Sequence, residues 1–199
     1  MNIEQSKAVL KSLATSSFHM ILGTPGSGKT QALVALVKIL IQLRKKVLIV
    51  SFTNTAVDNV LVRLKQSGFT QFCRLTHNET QIDPVISDNI LNSRKFTTMK
   101  QINDVLKDVH VYGCTTSQMS NVLFQALKFD YCLIDEASQI NEPMTLGPLM
   151  ISKKFVMIGD YYQLNPLVKS KLSKAKGFQK SLFEKLCKLH PKHVSVLYT

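Results

Sequence analysis

The chain has no tryptophan, only four cysteines, and 13 acidic residues against 25 lysines and arginines. Each shortage excludes something. Cys73, Cys114, Cys132 and Cys187 are scattered and form no C-x-x-C pair, which argues against a disulfide framework or a zinc site. Three of them sit in or beside apolar runs, as buried free thiols of a reducing compartment do. A long apolar run is also missing. Residues 32–43 come nearest to the ~18 residues a membrane span needs, but Lys38 and Gln42 interrupt them and Arg44, Lys45 and Lys46 close them. The amino-terminal residues lack the basic-then-apolar plan of a signal peptide, so Asn78-Glu79-Thr80, which fits the glycosylation sequon, reads as a chance match.

The shortage of carboxylates leaves a formal charge of +12 on 199 residues. That length suits one sizeable core with room for an insertion. From residue 169 onward Lys169, Lys171, Lys174, Lys176, Lys180, Lys185, Lys188 and Lys192 are opposed by Glu184 alone. Such a concentration suggests a polyanionic partner, with a solvated lysine face as the plainer alternative.

What is present is most informative at Gly23-Thr24-Pro25-Gly26-Ser27-Gly28-Lys29-Thr30, which reads G-x-x-x-x-G-K-[ST]. It follows the apolar run 18–22 and opens a long apolar stretch at Gln31, the strand–loop–helix context that a phosphate-binding loop requires. Glycines let successive N–H groups point into one concavity, and a helix start adds the positive end of its dipole. Lys29 is then expected at the β- and γ-phosphates of ATP, and the Thr30 hydroxyl in a Mg²⁺ shell.

Around that loop the chain alternates. Helical spacing over 2–17, 29–45 and 116–128, with a further helix that residues 53–58 lead into and that runs to about 66, is interleaved with short, β-branched, uninterrupted apolar runs at 46–52, 109–115, 129–135 and 153–160. A weaker strand is expected at 71–76 and a last one at 193–198, with a basic loop at 169–177 and a helix at 178–188 between. This pattern predicts an α/β fold, a parallel sheet with helices on both faces. Between about 77 and 103 the periodicity dissolves, which reads as an insertion with some helix near 86–91 and 96–106.

Asp135-Glu136 closes one of the buried runs, and two acids there are costly unless a metal or proton chemistry uses them. In a parallel sheet the strands' carboxyl ends open on one crevice. Asp135 can hold Mg²⁺ through water while Glu136 positions and deprotonates the attacking water. Gly159-Asp160-Tyr161-Tyr162-Gln163-Leu164-Asn165-Pro166 ends a further strand at the same rim.

Four motifs therefore stand in order: GTPGSGKT, SFTNTAVDNVL, DEASQ and GDYYQLNPL. Together they resemble the first RecA-like, P-loop NTPase domain of superfamily 1 helicases of the 5′-to-3′ branch (superfamily 1B). Residues 131–149 are most similar to the helicase–nucleases that process Okazaki fragments in eukaryotic DNA replication. The resemblance implies that Gln5 recognises adenine and that Gly23, Thr24, Pro25, Gly26, Ser27, Gly28, Lys29 and Thr30 hold the phosphates. It further implies Thr30 and Asp135 at Mg²⁺, Glu136 at the water, and Gln163 as a γ-phosphate sensor. Thr53, Asn54, Asp58, Thr115 and Thr116 are implied contacts to single-stranded DNA or RNA. Asn165 departs from the family, which has the first of two prolines there. A second RecA-like domain with γ-phosphate arginines, and a nuclease domain with an iron–sulfur cluster, are expected outside these 199 residues. Residues 1–199 then form one ATP-binding domain of a nuclear enzyme with a mitochondrial or cytoplasmic pool as alternatives, slow in isolation and unable to unwind duplex. An RNA helicase of the nonsense-mediated-decay type, or a strand-binding module without turnover, are the alternatives.

Overall fold

The computed structural model describes residues 1–198 apart from 77, 92–97, 99–100, 102–105, 107, 121–123 and 125–126. Eight strands form one sheet: β1 (Phe18–Gly23), β2 (Val47–Ser51), β3 (Phe72–Leu75), β4 (Ile90–Leu91), β5 (Val111–Thr115), β6 (Phe129–Ile134), β7 (Ser152–Gly159) and β8 (Val194–Leu197). Their order is β4-β3-β5-β2-β6-β7-β1-β8, and every pairing is parallel. The helices are α1 (Ile3–Ala14), α2 (Lys29–Gln42), α3 (Asn54–Gln66), α4 (Glu142–Met150), α5 (Lys171–Ala175) and α6 (Leu182–Leu189).

The alternation of side chains along each strand divides the core in two. Ile21, Val47, Ile49 and Leu133 pack with α1, α2 and α3 on one face. Met20, Leu48, Val50, Cys132 and Ile134 face the other side, with Ile140, Phe183 and Cys187. Every residue of β2 and β5 is buried, as the apolar runs require of strands covered on both faces. All four cysteines are buried and free. Burial pushes the Cys73, Cys114 and Cys187 thiols up to about 12, so they behave as small apolar side chains.

Several boundaries differ from the sequence expectation for local reasons. The helix expected near 86–91 is a 3-10 turn over Pro84–Asn89, started by Asp83, whose carboxylate accepts from Val85 N–H. Ile90 and Leu91 leave it to pair with β3. Helix α6 starts at Leu182 because Ser181 caps it, accepting from Glu184 N–H. The basic loop contains the short helix α5. Thr116–Ser120 is a 3-10 turn, whereas most of the helix expected over 96–106, and residues 121–123 and 125–126 of the one expected over 116–128, lie outside the described residues.

A charged pair is buried within this frame. Arg74 on β3 is fully buried. Its Nε donates to Asp58 Oδ1 at 2.7 Å, Nη1 to the Leu75 carbonyl at 2.8 Å and Nη2 to Asn54 Oδ1 at 2.8 Å. The other Asp58 oxygen accepts from Asp83 N–H at 3.1 Å. These bonds tie the start of α3 to β3 and to the turn after it. Removing one partner strands a buried charge, which typically costs about 3–5 kcal/mol. Arg74→Met is therefore expected to lower unfolding free energy in urea titrations by about that amount, and Arg74→Met/Asp58→Leu to recover most of it. Equal stability of the single variant and the parent would refute the role given to this pair.

Candidate active site

The loop between β1 and α2 is shaped by two glycines in the left-handed region, Gly26 and Gly28, each with φ of 79°. A Cβ at Gly28 would also lie 2.2 Å from Gln5 Nε2, so glycine is required there twice over. Gly28 stands at the N-cap of α2 and offers no side-chain acceptor, which leaves the first-turn N–H groups turned to the loop. Lys29 Nζ donates to the Gly23 carbonyl at 2.6 Å and to the Thr24 carbonyl at 3.1 Å. Its charge thus lies across the concavity in which a phosphate would sit.

Sheet order brings the acids to this loop. Strand β7 lies between β1 and β6, so the turn after β7 stands between the loop and Asp135-Glu136. A cavity of about 410 Å³ is lined by Thr24, Gly28, Lys29, Thr30, Arg63 and Glu136. It adjoins a smaller one of about 120 Å³ that shares Pro25, Lys29 and Glu136 and adds Ser138, Asp160 and Gln163.

Asp135 is buried and accepts a hydrogen bond from Glu136 N–H at 3.0 Å. Burial, then the neighbouring Glu136 charge, raises its pKa to about 6, against the opposing pull of the Glu136 N–H and Lys29. Glu136 has a φ of 51°, a left-handed conformation that a residue with a Cβ adopts at a cost of order 1–3 kcal/mol. That backbone turns its carboxylate into the cavity, where Gln139 Nε2 donates to Oε2 at 3.2 Å. Gln163 Nε2 donates to the Asp160 carboxylate, whose Oδ1 also accepts from Tyr162 N–H at 3.0 Å.

Gln5 stands beside Gly28 and is engaged at both ends. Its Nε2 donates to the Ser27 carbonyl at 3.0 Å, and its Oε1 accepts from Asn2 N–H at 3.0 Å in a capping box that starts α1. Among the described residues no group of three or more histidines, cysteines, aspartates and glutamates gathers for a metal. A hydroxyl on Thr30, which lines the larger cavity, and one strand-end carboxylate, Asp135, within reach of the Lys29 charge nevertheless suit Mg²⁺. That ion keeps several waters and takes one or two protein oxygens.

The five residues expected at a nucleic-acid strand lie apart, on the same rim beyond β6. Thr53 Oγ1 caps α3 by accepting from Ala56 N–H at 3.2 Å, and Asn54 Nδ2 donates to Gln81 Oε1 at 3.1 Å. Asp58 is a buried partner of Arg74, turned into the fold and away from any strand on the surface. Thr115 and Thr116 are buried too. Thr115 Oγ1 lies 2.8 Å from Ser117 Oγ, and Thr116 Oγ1 has no hydrogen-bond partner among the described residues. Two charged residues that line the cavities escaped sequence reasoning. Asp160 lay within a quoted motif and could have been found there, but Arg63 reaches the site from the last turn of α3 and no motif contains it.

The sequence profile described as the AAA domain matches residues 1–101 and 85–171. The chain belongs to the AAA domain family. This AAA domain is 38% identical over 198 residues to the Schizosaccharomyces pombe DNA replication ATP-dependent helicase/nuclease dna2, covering 99% of this chain and 14% of that protein. It is 37% identical to the Arabidopsis thaliana helicase/nuclease JHS1 (99% and 15%) and 34% identical to human DNA2 (94% and 18%). The chain spans less than a fifth of these relatives. Among solved structures it is similar to a nuclease-deletion mutant of the restriction-modification enzyme LlaGI in complex with a DNA substrate mimic. The TM-score there is 0.59 at 15% identity, over 79% of this chain and 17% of that one. It is also similar to the Pif1 helicase of Candida albicans, with a TM-score of 0.51 at 16% identity, over all of this chain and 40% of that one. At such identities the likeness is one of fold: the RecA-like P-loop architecture expected from the motifs.

A pH signature follows from Asp135. Below 3.8 the carboxyl is protonated folded or unfolded; above about 6 the folded chain must bury its charge. Stability is therefore lost as pH rises from about 4 to about 6, by on the order of 3 kcal/mol. Asp135→Asn is neutral throughout and is expected to flatten this stretch of a denaturation-midpoint-against-pH curve, while an unchanged slope would assign the effect elsewhere.

Proposed function

We propose that this chain is the ATP-binding and ATP-hydrolysing half of a 5′-to-3′ helicase that moves along single-stranded DNA, within a nuclear replication and repair helicase–nuclease. The observation that carries the reading is the convergence of Lys29, Glu136 and Gln163 on two adjoining cavities at one rim of the sheet, with the buried Asp135 next to Glu136 and within reach of the Lys29 charge. The names of the curated relatives support the helicase–nuclease context.

In this reading the β- and γ-phosphates of ATP take the loop's N–H groups and draw Lys29 from the Gly23 and Thr24 carbonyls. Mg²⁺, when bound, neutralises charge on the β- and γ-phosphate oxygens, held by Thr30 and, through water, Asp135. Glu136 orients the attacking water and accepts its proton. Gln163 exchanges the Asp160 carboxylate for a γ-phosphate oxygen, so hydrolysis returns it to Asp160 and alters the turn that follows β7. Gln5 offers a donor and an acceptor that suit the matching edge of adenine, once the Ser27 carbonyl and Asn2 N–H release it. Thr53, Asn54, Thr115 and Thr116 border the strand path, where backbone contacts position without reading sequence. Asp58 acts there by holding Arg74.

The domain is the first RecA-like unit of two, with the nuclease unit and its iron–sulfur cluster elsewhere in the whole protein. A γ-phosphate arginine from the second unit can contribute ~10³–10⁵ in rate, so these residues alone are expected to turn over ATP slowly and not to separate duplexes. In a phosphate-release assay Lys29→Ala is expected to fall to background. Glu136→Gln should keep Mg·ATP binding while slowing turnover by about 10²–10⁴. Oligothymidylate should stimulate the whole protein more than oligouridylate does. Wild-type release by Lys29→Ala would end this reading.

A further inference from the structure

A second surface lies beyond the ATP cavities. Between Tyr161 and Phe183 the chain has five lysines and no acid: Lys169, Lys171, Lys174, Lys176 and Lys180. All five are exposed, and none has an ion-pair partner among the described residues, whereas Lys185 is paired with Glu142 and Lys188 with Glu184. The segment therefore carries uncompensated positive charge, which a merely solvated face would commonly intersperse with acids.

The same segment closes one side of a cavity of about 250 Å³. Pro143 and Leu146 of α4 form one wall, Gly177 and Phe178 the other, and Lys176 and Lys185 stand at the lip. Leu146 is 49% exposed and Phe178 47%, so each shows one face to solvent and neither fills the space. Glu142 also borders the cavity, with its charge already met by Lys185. A slot with apolar walls, an aromatic ring and flanking lysines has the chemistry of a base-stacking site with phosphate contacts beside it. A duplex would not fit this chemistry, because its bases already use both faces.

The position is also informative. The segment starts at the turn that carries Gln163, and it returns to the body where Ser181 bridges Asn141 in antiparallel fashion. Asn141 caps α4, five residues after Glu136. Both ends of the basic segment are thus attached to the two loops that line the ATP cavities.

We propose that this slot and its lysines bind an unpaired nucleotide of single-stranded DNA, the base stacked on Phe178 and the neighbouring phosphates on Lys176 and the lysines around it. Only the class of polymer rests on the function proposed above. A strand held here pulls on the Asp135–Asn141 loop and on the Gln163 turn together, which gives DNA a direct route to the hydrolytic groups within this one domain.

Anisotropy of a fluorescein-labelled oligothymidylate, titrated with the 199-residue chain over a salt series, tests the proposal. Phe178→Ala is expected to weaken binding about five- to a hundredfold and Phe178→Tyr to preserve it. Replacing Lys169, Lys171, Lys174, Lys176 and Lys180 by Gln should reduce the slope of log affinity against log salt by about 3. Circular dichroism melts should match the parent, and Lys29-dependent basal ATPase should persist in every one of these variants. Unchanged affinity and slope in the variants would overturn the proposal. So would oligothymidylate failing to bind while ATPase is intact, or competition by polyglutamate or anionic vesicles as effective as that by DNA. Loss of Lys29-dependent ATPase in the parent chain would instead count against the function proposed above.

Discussion

A parallel sheet buried on both faces cannot scatter its strand ends. Each strand must be re-entered from the same edge, so every carboxyl end arrives at one rim and every return passes through a helix or a long loop on a face. In this chain that constraint gathers the phosphate loop after β1, the acids after β6 and the Asp160–Gln163 turn after β7 on one edge. The position of β7 between β1 and β6 does the rest. It spaces the loop from Asp135-Glu136 by one strand and fills the interval with a turn that ends in an amide. The Arg74–Asp58 pair secures the other half of the rim, where β3, the start of α3 and the Asp83 turn would otherwise meet only through weaker contacts.

The site has internal substitutes for much of what a nucleotide would supply. Lys29 is held by two loop carbonyls, Gln163 by Asp160, and Gln5 by Ser27 and Asn2. Each of these bonds satisfies a polar group that would otherwise be left open, and under the proposed function each would be given up for the corresponding contact to ATP. Binding is thus an exchange of partners, and its net gain is smaller than a count of new contacts suggests. The exchange at Gln5 has a further effect, since the same side chain closes the capping box of α1.

Much of this was legible in the residues. The strand runs are continuous because they are covered on both faces, and the phosphate loop announces itself by glycines whose left-handed backbone the structure contains at Gly26 and Gly28. Asp135 and Glu136 could be placed at a strand end because a buried apolar run stops there. What could not be read was set by partners far along the chain. Asp58 looks like a surface acid of a helix until Arg74, 16 residues later, is found buried against it. Arg63 joins the cavity only through the packing of α3 beside α2. Ile90 and Leu91 fit a helical pattern as well as a strand, and the open edge of β3 decides between them.

Glu136 gives the site an unusual relation to its own stability. A left-handed backbone suits glycine or asparagine better than a glutamate. Here the chain spends folding free energy to aim a carboxylate at the cavity, next to an aspartate whose ionisation is itself disfavoured. A homologue or laboratory variant that gained stability by relaxing position 136 would have removed, in the same step, the carboxylate to which the proposed function gives the attacking water. Under the proposed function, search strategies that reward thermal stability alone would therefore drift toward a well-folded, ATP-holding domain that no longer hydrolyses.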